Sequence, residues 1–223
     1  MFASAIRACC ASSQRWLSTW TVVAVLAATL LGTPAVALGQ SPNVMQVEED
    51  WELVLASPST IKTAPQLETV ISPGGDLSSI FARTTWNYRE EPAFLAGGMQ
   101  LQAWQGSAFL AMTNFGSNDL STVSETVRWT QSINTDGTVL TLQISNGQST
   151  TWGAFGGSSL TLQGVVNIAN LDAYNTAVSV ANSGITFGSN RVDLLRITEV
   201  RRYDASGNLL STDTVSKTVY LRQ

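Results

Sequence analysis

The sequence predicts an all-β protein, a single antiparallel β-sandwich that follows an N-terminal signal peptide. Three observations predict this fold class. About ten to thirteen short segments after residue 46 alternate apolar and polar residues or are rich in β-formers. Turn residues separate them at intervals of roughly 8–12 residues. No segment beyond the leader sustains a helical period. A mature chain of about 180 residues suits one domain better than two.

Residues 1–39 have the order of a secretory signal peptide. Arg7 and Arg15 precede an apolar run, Thr19–Leu31, and small residues follow that run. The run is shorter than the ~20 residues that a membrane span needs, so a retained anchor is the weaker alternative.

Two A-x-A-like steps predict cleavage after Ala37 or Gly39. Residues 40–223 would then form the β-sandwich domain, without a membrane span. We expect an exported protein that resides in the periplasm, at the cell surface or outside the cell.

The composition excludes several kinds of chemistry. Cys9 and Cys10 lie in the leader, so the mature chain has no disulfide. The chain has no histidine, which removes histidine-based triads and most zinc and copper sites. Loss of Arg7 and Arg15 changes the net charge from −4 to −6, because no acid precedes Glu48. An acidic exported domain is a poor partner for nucleic acid.

We predict no cofactor. Oxygen ligands for a structural calcium ion occur at Asn118 and Asp119, but the D-x-D-x-D-G spacing of a calcium loop is absent. Asx turns that hold the loop are the simpler interpretation.

Period-2 alternation and β-branched or aromatic residues mark the strands in chain order. The predicted strands are 47–55, 66–71, 79–88, 99–104, 108–113, 124–133, 138–145, 148–155, 160–166, 177–181, 192–203 and an extended segment from 209. Asn146-Gly147 predicts a hairpin turn, because both residues tolerate positive φ. Asp136-Gly137 predicts a turn in a longer loop. Residues 167–175 predict a short helical turn.

The first strand carries an unusual row of acids. Glu48, Asp50 and Glu52 alternate, so they share one face, whereas Glu49 points inward beside Trp51. We predict an outer strand on which Trp51, Leu53 and Leu55 cover the core and the acids keep the sheet edge soluble and unpaired. The alternative is an active site.

The C-terminal third, residues 182–210, resembles the closing strands of concanavalin-A-like and laminin-G-like sandwiches. It has an apolar strand that ends in an Arg-x-Tyr-like step and a Gly-Asn turn. The whole arrangement resembles uncharacterised exported bacterial proteins that begin with an E-D-W-E-L stretch after the signal. These resemblances imply a concanavalin-like jelly roll. That fold hosts lectins, glycosidases and adhesion modules, so function depends on a site.

The letters E-x-D-x-E are also similar to the catalytic strand of laminarinase-type retaining glycosidases. That resemblance implies Glu48 as nucleophile, Asp50 as the assisting acid and Glu52 as acid/base, with two carboxyl groups ~5–5.5 Å apart. It requires the strand to lie in the middle of a concave sheet, with Trp104 or Trp152 lining the groove.

Tryptophans are the candidate ligand contacts. Sugar-binding sandwiches stack pyranose rings on exposed aromatic faces, which makes Trp104, Trp86 and Trp152 candidates. Trp104 is the best of them, because it lies on the polar side of its strand's alternation beside Gln102 and Gln105. Core packing is the alternative for each tryptophan.

The sequence therefore predicts an exported, non-enzymatic β-sandwich domain with a glycan-binding or structural role in the cell envelope. Its expected partners are a polysaccharide or another envelope protein. The alternative function is a laminarinase-like glycoside hydrolase that uses Glu48, Asp50 and Glu52. The sequence leaves the ligand, the strand order and the oligomeric state open.

Overall fold

A computed structural model describes residues 41–57, 64–87, 98–116, 119–120 and 124–223. The predicted signal peptide lies outside these residues. The described strands are β1 (Gln46–Leu55), β2 (Gln66–Ile71), β3 (Ile80–Trp86), β4 (Met99–Gln105), β5 (Ala108–Phe115), β6 (Thr126–Thr135), β7 (Val139–Ser149), β8 (Gly153–Phe155), β9 (Thr161–Val165), β10 (Gly184–Phe187), β11 (Val192–Tyr203), β12 (Leu209–Asp213) and β13 (Lys217–Leu221). One helix, α1, spans Thr176–Asn182, and 3-10 turns cover Gly157–Leu160 and Ser189–Arg191.

The strands form two antiparallel sheets. The larger sheet has eight strands in the order β12-β11-β1-β6-β7-β8, with β13 also paired to β11 and β9 to β7. The smaller sheet has five strands in the order β10-β2-β3-β4-β5. The inner faces of the two sheets share one apolar core. The all-β sandwich predicted from the sequence is confirmed.

Strand β1 lies in the middle of the larger sheet, between β6 and β11. The expectation of an edge strand is therefore wrong. Its inner face is apolar as predicted, with Trp51, Leu53 and Leu55 buried. The acids of its outer face suggested an edge, but arginines on both neighbouring strands pair with them, and a central position becomes possible.

Three tryptophans form the centre of the core. Trp51 stacks on Trp129 with ring centroids 5.9 Å apart, and Trp86 tilts against Trp129 at 4.5 Å. Trp51 and Trp129 are cross-strand partners in the larger sheet, whereas Trp86 belongs to the smaller sheet. The aromatic contact therefore joins the two sheets.

The hairpin predicted at Asn146-Gly147 is wrong, because both residues lie inside β7. Asn146 does adopt a positive φ of 54°. It does so in a bulge, where the register against β6 shifts between Arg128 and Thr130. The chain turns later, at residues 150–152, where Glu125 accepts hydrogen bonds from two turn amides.

The predicted strand at 177–181 is also wrong, because these residues belong to α1. Asn175 caps the helix, since its side chain accepts a hydrogen bond from the Ala177 amide at 3.0 Å. Thr176 and Ser179 lie three residues apart and are both buried. The helical turn expected at 167–175 is only a bend and turn at 171–173. No helix among the described residues is long and apolar enough to cross a membrane.

Candidate functional site

The outer face of the smaller sheet is polar along its centre. Strand β4 places Met99, Leu101 and Ala103 in the core. Alternation therefore puts Gln100, Gln102 and Trp104 on the opposite face. Cross-strand neighbours on that outer face include Thr85, Arg83 and Asn114. We call this set the Trp104 face; it comprises Arg83, Thr85, Gln100, Gln102, Trp104, Phe109 and Asn114.

Trp104 sits between a cation and a second aromatic ring. The Arg83 guanidinium lies over the indole, 4.9 Å from its centroid. The Phe109 ring meets the indole at 5.4 Å and an angle of 68°. Trp104 itself is half-buried, and Phe109 is 40% exposed. The two rings therefore form a ledge that is partly open to solvent, with positive charge on one side.

A chain of side-chain hydrogen bonds runs from Trp104 across the face. The indole Nε1 donates to Gln102 Oε1 at 2.6 Å. Gln102 Nε2 donates to the Gln100 side-chain oxygen, and Gln100 Nε2 donates to Asn114 Oδ1 at 2.8 Å. This chain fixes the orientation of each amide. It ends at Asn114, which is exposed.

The acidic row of β1 lies on the outer face of the larger sheet, and Glu48, Asp50 and Glu52 share that face as alternation predicts. Each of them is paired. Arg201 contacts Glu48 at 3.0 Å and Asp50 at 2.6 Å. Glu52 binds two arginines, one on each neighbouring strand, at 2.7 and 2.6 Å.

These ion pairs shift the pKa values of Glu52 and Arg201. Burial raises the pKa of Glu52, but hydrogen bonds from Arg196 and Arg128 outweigh burial and leave this pKa below its ordinary value. Hydrogen bonds to Asp50, Glu199 and Glu48 raise the pKa of Arg201 above its ordinary value, against a smaller desolvation effect. The ion pairs therefore favour the charged forms of Glu52 and Arg201.

A groove of about 290 Å³ lies beside Asp50, Arg128 and Arg201. Trp104 belongs to the other sheet, and Trp152 is not among the residues that line this groove. The glycosidase alternative requires a central strand and a groove lined by Trp104 or Trp152. β1 is central, but neither tryptophan lines the groove.

The other candidate tryptophans pack inside. Trp86 is fully buried and therefore has no surface for a ligand. Trp152 is half-buried and stacks on Trp86 with centroids 5.5 Å apart, at an interplanar angle of 17°. Trp152 also meets Phe115 and Phe155 edge-on. Both tryptophans thus contribute to the aromatic core.

A buried polar cluster surrounds Glu49, and local sequence patterns predict only the inward direction of this residue. Glu49 is fully buried and accepts hydrogen bonds from Tyr174 at 2.6 Å, Ser179 at 2.5 Å and the Trp51 indole at 3.0 Å. Its cross-strand neighbour Gln131 is also fully buried. The partners on α1 and the preceding turn come from more than 120 positions away, which no local pattern could reveal.

Burial raises the pKa of Glu49 to about 7, although its three hydrogen bonds act in the opposite direction. Tyr174 has a raised pKa, first because it is buried and second because it faces Glu49. All these groups are shielded from solvent, so the cluster anchors α1 to the larger sheet and offers no open site.

No group of three or more potential metal ligands occurs among the residues that the structure describes. In the candidate calcium loop, Asn118 lies outside the described residues, and only Asp119 is described.

Comparisons with known proteins give little further information. No family model matches the chain, and no curated protein matches it. Two solved structures of Scytalido-glutamic peptidase resemble it distantly. The complex with a peptide-based transition-state analog has 11% identity and a TM-score of 0.38, over 80% of this chain and 83% of that chain. The complex with a transition-state analog inhibitor has 13% identity and a TM-score of 0.31, over 78% and 82%. At these values neither a residue role nor an activity carries over to this chain.

Proposed function

We propose that this chain is an exported, non-enzymatic β-sandwich domain that binds glycan through the Trp104 face. The observation that carries the proposal is the half-buried indole of Trp104, held beside a partly exposed phenylalanine and at the end of an oriented row of amides. Glycan recognition combines an aromatic surface that packs on the C–H face of a sugar with polar groups that bind its hydroxyls. Gln100 and Gln102 are fully buried and only orient the row, so the exposed Asn114 is the amide that a ligand would contact.

The position of Arg83 refines the expected mode of binding. Its guanidinium occupies one side of the indole, so the sugar would pack along the ledge made by Trp104 and Phe109. Arg83 and the exposed Asn114 are then the nearest donors for hydroxyl or acidic groups of the ligand. Sulfated or carboxylated polysaccharides are therefore worth testing beside neutral β-glucans.

The charges on β1 argue against the hydrolase alternative. A retaining glycosidase needs a carboxylic acid that keeps its proton near neutral pH, which means a raised pKa. Glu52, the acid/base in that alternative, has a lowered pKa and is held by two arginines. Glu48 and Asp50 share Arg201.

The test is affinity electrophoresis of the exported protein in gels that contain β-glucans or sulfated polysaccharides, with reducing-end release measured in parallel. We expect retardation of the wild type by at least one polysaccharide and no released ends. Trp104→Ala should lose at least about tenfold in affinity, since aromatic anchors dominate such sites. Phe187→Ala is the matched control, because Phe187 is an exposed aromatic on the far edge of the same sheet.

Two results would contradict the proposal. Equal retardation of the wild type and Trp104→Ala, or none by any polysaccharide, would remove the Trp104 face as a glycan site. Release of reducing ends by the wild type but not by a folded Glu52→Gln variant would establish the hydrolase instead.

A further inference from the structure

Charge is distributed unevenly over this sandwich. No Asp, Glu, Lys or Arg occurs in residues 137–171 or in residues 92–118. The first range contains β7, β8 and β9, and the second contains β4 and β5. On the larger sheet, the ion-paired groups described above lie toward the other edge, on β1, β6 and β11. On the smaller sheet, Arg83 lies on β3, two strands away from the β5 edge.

The uncharged side ends in two sheet edges. β5 is the last strand of the smaller sheet and pairs only with β4 among the described residues. β9 pairs with β7 without any register shift and has no second strand partner in the described chain. We call Leu110 and Ala111 of β5 together with Gln163–Val165 of β9 the neutral edge.

The neutral edge exposes large apolar side chains. Leu110 is 47% exposed and Val165 is 81% exposed. Between the two strands lies an apolar crevice of about 70 Å³, lined by aliphatic residues that include Leu110, Leu162 and Val166. Exposed apolar side chains beside open strand edges are typical of interaction surfaces.

The other edges are protected in ways that the neutral edge is not. β12 ends at Asp213, which forms an ion pair of 2.7 Å with Lys217 at the start of β13. β10 has only four residues, and its register against β2 is irregular. Charges, short length and irregular pairing all discourage the addition of another strand. β9 has no charge, no proline and regular pairing.

We propose that the neutral edge is the surface through which two copies of this chain associate about a two-fold axis. The chain is acidic overall, with a net charge of −4, so two copies repel each other over most orientations. At the neutral edge two copies meet without opposing like charges. A two-fold contact places the same patch on both sides, which buries Leu110 and Val165 of each copy. It also pairs the outward main-chain groups of β9.

The experiment is sedimentation velocity of the exported protein from about 1 μM to about 1 mM. We expect a monomer–dimer equilibrium. Leu110→Lys and Val165→Lys should each raise the dimer dissociation constant at least about tenfold, because the variant places like charges across the axis. Val215→Lys is the matched control, since Val215 is 70% exposed on the charged side between β12 and β13. It should dimerise as the wild type does.

Amide hydrogen exchange gives a second measurement that does not depend on the variants folding normally. In the wild type, exchange at Gln163–Val165 should slow as the concentration rises through the dissociation constant. A wild type that stays monomeric over this range overturns the proposal and leaves the neutral edge to a different molecule. A dimer with unchanged exchange at β9, or one that Val215→Lys weakens as much as Leu110→Lys does, also overturns it.

Discussion

Replacing Glu49 by glutamine should remove a pH dependence from the stability of the fold. Glu49 has a pKa of about 7 in the folded chain, against 4.5 ordinarily. Between these two pH values the folded state keeps the proton that the unfolded state has released. The contribution of Glu49 to the free energy of unfolding should therefore be highest below pH 4.5, fall as the pH rises to about 7, and change little above it.

The size of the effect follows from the same two values. A difference of about 2.5 in pKa corresponds to about 3 kcal/mol of unfolding free energy, at about 1.4 kcal/mol per pKa unit. In Glu49→Gln, this fall in the free energy of unfolding with rising pH should be absent. The variant should also carry a constant cost of about 1–3 kcal/mol, because an amide nitrogen replaces one of the two oxygens that accept hydrogen bonds, from Trp51 on one side and from Tyr174 and Ser179 on the other. The readout is therefore the change of stability with pH, rather than the stability at one pH.

The assay is urea unfolding followed by tryptophan fluorescence, at intervals between pH 4.5 and pH 8. The difference between the wild-type and Glu49→Gln curves isolates this one carboxyl group. Arg202 is kept in both proteins. Its guanidinium lies over the ring of Tyr174, 5.3 Å from the centroid, and Tyr174 is a hydrogen-bond partner of Glu49. Asp136→Asn is a control, since Asp136 is exposed and has a lowered pKa. This substitution should change the free energy of unfolding only at the acidic end of the pH range. Parallel wild-type and Glu49→Gln curves from pH 5 to pH 7 would refute the reasoning.

Two further predictions concern the larger sheet. Gly147→Ala should lower the free energy of unfolding by about 2 kcal/mol or more, because the added Cβ would collide with the Phe155 ring. Gly164→Ala on β9 has open space and should change stability little; similar melting temperatures for the two variants would contradict this account. Glu52→Gln should lose stability near neutral pH and much less in acid, since a lowered pKa contributes stability above the unfolded value that disappears as the pH falls through the folded pKa. Urea unfolding at pH 7 and pH 3 checks this, and an equal loss at both would exclude the ion pairs as its source.

Local alternation was sufficient to predict most strands of the sandwich. The strands at 47–55, 66–71, 99–104 and 192–203 agree with the structure within one or two residues. The common face of Glu48, Asp50 and Glu52 and the inward direction of Glu49 also follow from alternation alone. A period of two is a property of one extended segment, and the adjacent residues of the sequence contain it completely.

Local patterns failed where a distant contact selected among locally acceptable conformations. Asn146 accepts a positive φ equally well in a hairpin or a bulge, and Glu125 and Phe155 select the bulge. Residues 177–181 alternate like a strand, but they form a helix whose Ser179 side chain donates a hydrogen bond to Glu49.

The all-β class, the faces of the strands and the exclusion of histidine chemistry all follow from local patterns and composition. That β1 is central and that its acids bind Arg128, Arg196 and Arg201 follows only from the assembled sheets. The assembled sheets also decide which tryptophan has access to solvent and which sheet edge is without charge. These properties depend on which strands become neighbours, and such pairs lie 76 to 153 positions apart in the chain. The packing of the whole core determines which strands become neighbours, so no single segment of the sequence predicts these pairs.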